Sequence, residues 1–141
     1  MFKIDHIGIA VNSLASSIPA FRALLGENPA GRETVPSEGV EVVFFGEGTG
    51  RVELIEGLDP DSSVSRFVER NGPGLHHVCF QVADLPSAVT VLAESGILPL
   101  PPGIRRGAGG VDVAFFHPRD CGGVLVELSA PRSREAPADP A

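Results

Sequence analysis

Basic residues are scarce in this chain, cysteines scarcer still, and no apolar run approaches the ~18 residues of a membrane-spanning helix. Each shortage excludes something. Eleven lysines and arginines against 18 acids leave a net charge of -7, which argues against a nucleic-acid phosphate backbone as partner. An anionic small molecule is not excluded, because a few local arginines or a metal ion can hold one whatever the overall balance. Cys79 and Cys121 show no CxxC spacing, so a structural disulfide or zinc knuckle is not expected and both read as free thiols. The opening Met1-Phe2-Lys3-Ile4-Asp5-His6 has the pattern of a strand rather than of a signal peptide, and the default expectation is a cytoplasmic protein that does not engage membranes. At 141 residues the chain has room for one domain, and a chain of this size buries roughly 68% of its unfolded surface, enough for a core without covalent staples.

What the chain does contain is an internal repeat. Slid by 71 positions, His6 falls on His77, and Ile7-Gly8-Ile9-Ala10-Val11 falls on Val78-Cys79-Phe80-Gln81-Val82. At the same offset Val40-Glu41-Val42-Val43-Phe44-Phe45 lies on Val111-Asp112-Val113-Ala114-Phe115-Phe116. Val52-Glu53-Leu54 matches Val126-Glu127-Leu128 at an offset of 74, the extra residues fitting into the turn from Pro118 to Gly123. Such an insertion costs little in a hairpin turn. Between these strands each half carries one helical pattern. Leu14, Ile18, Phe21, Leu24 and Leu25 recur at helical steps behind a Ser13 cap and before Gly26; Leu85, Ala88, Val89, Leu92 and Ala93 do so behind Asp84, with Pro86 in the first turn and Gly96 after the last. Each half therefore predicts β-α-β-β-β. A third helical run, 61–70, links the halves and stops at Gly72-Pro73-Gly74. The expected organisation is a single α+β domain over 1–130, built from repeats at about 3–57 and 74–130, with a disordered tail over 131–141.

Four residues stand out once the repeat is granted. His6 and His77 begin the first strand of each copy, and Glu53 and Glu127 lie within the last. A glutamate flanked by apolar neighbours, as in Val52-Glu53-Leu54-Ile55, is costly to bury unless it meets a cation or several donors. Two such carboxylates related by a pseudo-twofold axis repel one another, and a divalent ion on that axis with two neutral imidazoles removes the repulsion. A single histidine in a strand is ordinarily a surface residue; four potential ligands in repeat-equivalent places are not explained that way. Strand alternation points His76 away from His77 and makes it the weaker ligand candidate. His117, before a proline in a turn, is expected to be structural.

The stretches Ile4-Asp5-His6-Ile7-Gly8, Gly74-Leu75-His76-His77 and His117-Pro118-Arg119, together with Gly122-Gly123-Val124-Leu125-Val126-Glu127-Leu128, resemble the vicinal oxygen chelate superfamily and, within it, the methylmalonyl-CoA epimerases. That resemblance spans residues 3–130 and implies a curled, mixed eight-stranded sheet around one divalent ion, often cobalt, with manganese, nickel and zinc open as alternatives. It maps the metal ligands onto His6, Glu53, His77 and Glu127, and it implies a homodimer acting on an acyl-CoA. The implied reaction interconverts the (R) and (S) forms of methylmalonyl-CoA by removal of the α-proton through a metal-stabilised enolate. One departure matters: where some members carry a second acid, four residues after the position of Glu38, this chain has Val42. Glu127 and Glu53 are therefore the candidates for the two proton-transfer groups, with Glu38 and Glu41 in reserve. Arg105-Arg106, in a glycine-rich loop, is the candidate basic site for the CoA phosphates. A glyoxalase-type lyase acting on a glutathione adduct, a ring-cleaving oxygenase and a non-catalytic binding module are the competing readings of the same four-ligand pattern.

Overall fold

The computed structural model describes residues 2–131, so the tail expected to be disordered lies, from residue 132 onward, outside the described residues. Eight strands form one sheet in the order β2-β3-β4-β1-β5-β8-β7-β6. The first repeat supplies β1 (Lys3–Ala10), α1 (Leu14–Leu25), β2 (Gly31–Val35), β3 (Val40–Phe45) and β4 (Arg51–Gly57). The second supplies β5 (Gly74–Gln81), α3 (Leu85–Glu94), β6 (Arg105–Arg106), β7 (Asp112–Phe116) and β8 (Val126–Ala130), and α2 (Ser63–Asn71) connects the two. β1 runs parallel to β4 and β5 parallel to β8, while β1 and β5 pair antiparallel at the centre. Two four-stranded units thus meet edge to edge about a pseudo-twofold axis, in the β-α-β-β-β pattern that the repeat predicts.

The helices begin and end where local chemistry requires. Ser13 accepts a hydrogen bond from the Ser16 amide, and Asp84 accepts one from the Ser87 amide, each relieving an unpaired donor in a first helical turn. Gly26 terminates α1 with φ +72, a conformation that a side chain would disfavour. α1 packs Leu14 and Ile18 on the convex face of the first unit, against Val43, Phe45 and Leu54. α3 packs Leu85, Ala88 and Leu92 on the repeat-equivalent face of the second, against Ala114, Phe116 and Leu128. Leu14 and Leu85 are each 1% exposed, and burial of either is worth on the order of 2 kcal/mol. Leu24 and Leu25 depart from the predicted stripe: both are exposed, and only Leu14, Ile18 and Phe21 of that stripe join the core.

The opposite, concave face is a cup. α2 covers one end of it by packing Val64, Phe67 and Val68 on Ala10, Val42 and Ile55. The two outer edges of the sheet also meet: Glu33 Oε2 accepts a hydrogen bond from the Gly109 amide at 2.7 Å, and Arg105 Nε stands 2.9 Å from Glu38 Oε1. Among the described residues no helix is long and apolar enough to cross a membrane.

Candidate metal centre and active site

The cup encloses a cavity of about 690 Å³ whose floor is the β1–β5 pair. His6, Glu53, His77 and Glu127 all point into it from β1, β4, β5 and β8, and all are less than 10% exposed. His6 Nε2 lies 3.0 Å from His77 Nε2, 3.2 Å from Glu53 Oε2 and 3.8 Å from Glu127 Oε1; His77 Nε2 lies 3.5 Å from Glu127 Oε2. The ligand atoms of His6, His77 and Glu127 stand within 4.8 Å of one another, and Glu53 joins the group through its contact with His6. The structure therefore brings together the four residues that the repeat singled out.

Two backbone bulges set this geometry. Pairing between β1 and β5 slips by one residue at Asp5 and again, in the repeat-equivalent place, at His76. A bulge breaks the pleat, so two successive side chains turn to the same face. His76 accordingly does not point away: it lines the cavity with its Nδ1 2.9 Å from His77 Nδ1, which corrects the expectation from alternation. Asp5 turns in beside His6 in the same way, its Oδ2 2.7 Å from His6 Nδ1, and Arg51 donates to that oxygen at 2.9 Å. These supporting groups were not legible as such in the sequence. The available signal was that a polar residue precedes each histidine at the repeat offset.

The centre also needs a gap in the sheet surface. Gly8 pairs with His77 across β1 and β5, and a Cβ at residue 8 would lie 2.7 Å from His77 Nε2 and closer still to other ring atoms. The mate of this pair is His6 opposite Cys79, a thiol that is fully buried and accepted by Ser129 at 3.4 Å. Burial pushes the Cys79 thiol far above its ordinary range. Both cysteines are free, as expected.

The electrostatics are those of a cluster of acceptors. Asp5 fixes a proton on His6 Nδ1, leaving Nε2 as a lone pair aimed at two carboxylates and a second imidazole nitrogen. Burial pushes the Glu53 carboxyl up to about 7, Glu127 adding to the rise while His6 opposes it. Burial likewise raises Glu127, with His6 and Cys79 opposing and the charges of Asp5 and Glu38 adding. His77 is held well below the imidazole range by burial, then by His6 and His76. Burial would lower His6 too, but its hydrogen bond to Asp5 and the charges of Glu53, Glu127 and Asp5 outweigh that and raise it. A divalent cation is what this donor set fits. Nitrogen and oxygen ligands about 2.1 Å from a common ion stand about 3 Å apart when adjacent, close to the observed separations.

The remaining predicted residues lie farther out. Arg105 and Arg106 form a two-residue edge strand rather than a loop; Arg105 turns into the cavity over the Phe115 ring, and Arg106 is exposed. Val42 is 1% exposed in the cavity wall, and Glu41 is held by Arg32 at 2.7 Å away from the cluster. His117 lines the outer cavity and accepts a hydrogen bond from the Arg119 amide, a turn-forming role.

A curled eight-stranded sheet of two β-α-β-β-β units, with two imidazoles and two carboxylates converging at its centre, defines the class. The chain belongs to the Glyoxalase/Bleomycin resistance protein/Dioxygenase superfamily, which it matches over residues 5–115. Its relatives narrow this to the methylmalonyl-CoA epimerase family. The chain is 37% identical to the human mitochondrial methylmalonyl-CoA epimerase over 89% of its own length and 72% of that protein. It is 35% identical to the ethylmalonyl-CoA/methylmalonyl-CoA epimerase of Cereibacter sphaeroides over 89% of this chain and 96% of that one. A solved structure of a single-substitution variant of the Streptomyces coelicolor methylmalonyl-CoA epimerase in complex with 2-nitronate-propionyl-CoA superposes with a TM-score of 0.87 at 33% identity, covering 96% of this chain and 98% of that one.

Proposed function

We propose that this chain is a metal-dependent epimerase that interconverts the two epimers of methylmalonyl-CoA by moving the proton on the carbon between thioester and carboxylate. The observation that carries this reading is the convergence of four buried acceptors, two from each half, in a cavity of a chain whose relatives are epimerases of such esters. A divalent ion held by His6, Glu53, His77 and Glu127, cobalt in the first instance, supplies when bound a positive charge for the two substrate oxygens and stabilises the negative charge that develops between them.

The chain's own groups do the rest. Asp5, itself fixed by Arg51, holds the His6 ring in one tautomer and orientation. Val42, Phe44 and Phe115 wall the cavity with apolar surface, which excludes water and strengthens every charge interaction inside. Glu53 and Glu127 enter from opposite halves, so one removes the α-proton on one face while the other returns a proton on the opposite face. Each carboxylate has two oxygens, so ion binding by one leaves the other for the proton. Val42 carries no group able to share in this. The protein acts as a homodimer. Cytoplasmic residence completes the reading.

The test is to follow a single epimer in heavy water with Glu53→Gln and Glu127→Gln. Each substitution is expected to suppress epimerisation by 100-fold or more, on the order of the loss of a proton-transfer group. Wild-type turnover in Glu53→Gln would remove Glu53 from the chemistry, and efficient turnover of a glutathione thiohemiacetal without α-proton exchange would favour the lyase.

A further inference from the structure

The substrate proposed above is an acyl chain on a polyanionic carrier, and a protein of net charge -7 needs a defined place for those phosphates. Four arginines line the cavity: Arg51, Arg66, Arg70 and Arg105. Two are committed. Arg51 donates to Asp5 at 2.9 Å beneath the metal centre, and Arg105 faces Glu38 at 2.9 Å. Arg106, although next in sequence, does not line the cavity.

That leaves Arg66 and Arg70, both on α2. Arg66 lies 3.9 Å from Asp61, with both side chains more than half exposed, a water-screened pair of little strength. Arg70 makes no ion pair among the described residues. The two are one helical turn apart, so their Cβ atoms are about 6 Å from each other and their guanidinium groups can close on one diphosphate. Between them in sequence Phe67 packs inward on the apolar cluster, with its ring 4.8 Å from that of His76. His76 in turn touches His77 at 2.9 Å. Arg66, Phe67, Arg70, His76 and His77 line the same cavity, so an ester with its phosphates at α2 can direct its acyl end toward the ligand cluster.

We infer that Arg66 and Arg70 form the binding site for the nucleoside diphosphate of the acyl-CoA, with Phe67 sheltering the pantetheine arm. This rests on the epimerase reading, so the experiment compares two substrates and two sites. With Arg66→Ala/Arg70→Ala, KM for methylmalonyl-CoA should rise by about tenfold or more, kcat should hold, and KM should lose most of its dependence on salt. KM for the matching acyl-pantetheine, which lacks the phosphates, should not move. Arg66→Lys/Arg70→Lys should recover part of the affinity. Titration of free coenzyme A reads the same site without turnover and should weaken in parallel. Unchanged KM and coenzyme A binding in the double alanine variant, or an effect carried by Arg106→Ala instead, would overturn the assignment while leaving the epimerase reading intact. A wild-type protein that binds coenzyme A through these arginines yet exchanges no α-proton would overturn the epimerase reading and keep the site.

Discussion

The two halves of the sheet present the same four acceptors to one point but support them differently. His6 and His77 occupy equivalent places, each beside a bulge, yet His6 is braced by the charged pair Asp5–Arg51 and His77 by the neutral His76. Opposite His77 stands Gly8, and opposite His6 stands Cys79; Ile55 of the first half becomes Ser129 in the second. The duplicated parts are those that a charge problem with twofold symmetry requires, two imidazoles and two carboxylates. The unequal parts lie around them, in the groups that support each imidazole.

The largest break in the comparison is expected at the glycine. Gly8→Ala places a methyl group in the His77 ring and should abolish stoichiometric metal binding, read by metal analysis of the purified protein. Its mate Cys79→Ala removes only a buried thiol and should keep the metal. If both variants bind metal equally, the argument from close approach fails.

Next comes the pH dependence of the metal-free protein. The folded-state pKa of Glu53 is raised from 4.5 to about 7, so its protonated form is favoured by folding and that stability is full below pH 4.5. It is lost as pH rises to about 7, a change on the order of 3 kcal/mol. Glu127 shifts in the same direction. His77, lowered, works the other way and loses stability as pH falls below the ordinary imidazole range. Denaturation of the chelator-treated protein from pH 5 to 7, compared with Glu53→Gln, isolates the glutamate. Equal slopes in the two proteins would contradict the burial argument, and added divalent ion should flatten the wild-type curve.

The smallest effects separate the braces. Asp5→Asn should weaken metal affinity by about tenfold, since it removes the carboxylate that orients His6. His76→Gln should cost about threefold or less by the same measure, because it replaces one neutral hydrogen-bonding group with another. A larger loss at His76 than at Asp5 would reverse the roles assigned to the two halves.

The repeat, the three helices, the caps Ser13 and Asp84 of two of them, and the four converging side chains were legible because each is written locally: in the 71-residue offset, in helical spacing, and in acids embedded among apolar residues. The braces were not. Alternation assumes an unbroken pleat, and the bulges at Asp5 and His76 appear only when β1 pairs with β5. The same limit applies to the arginines. Arg105 and Arg106 read as one basic loop, but Arg105 pairs with Val113 in a two-residue strand, which sends successive side chains to opposite sides. Arg105 meets Glu38 only because the two distant sheet edges close on each other, a contact across 67 residues with no local signature.

The most direct measurement is deuterium incorporation at the α-carbon of methylmalonyl-CoA in heavy water, run on the protein as purified, after chelation, and after a divalent ion is returned. Exchange should proceed, stop with removal of the ion, and resume when it is restored. Exchange that continues undiminished in chelated protein shown to hold no metal would contradict the claim that the four converging side chains work by holding a cation.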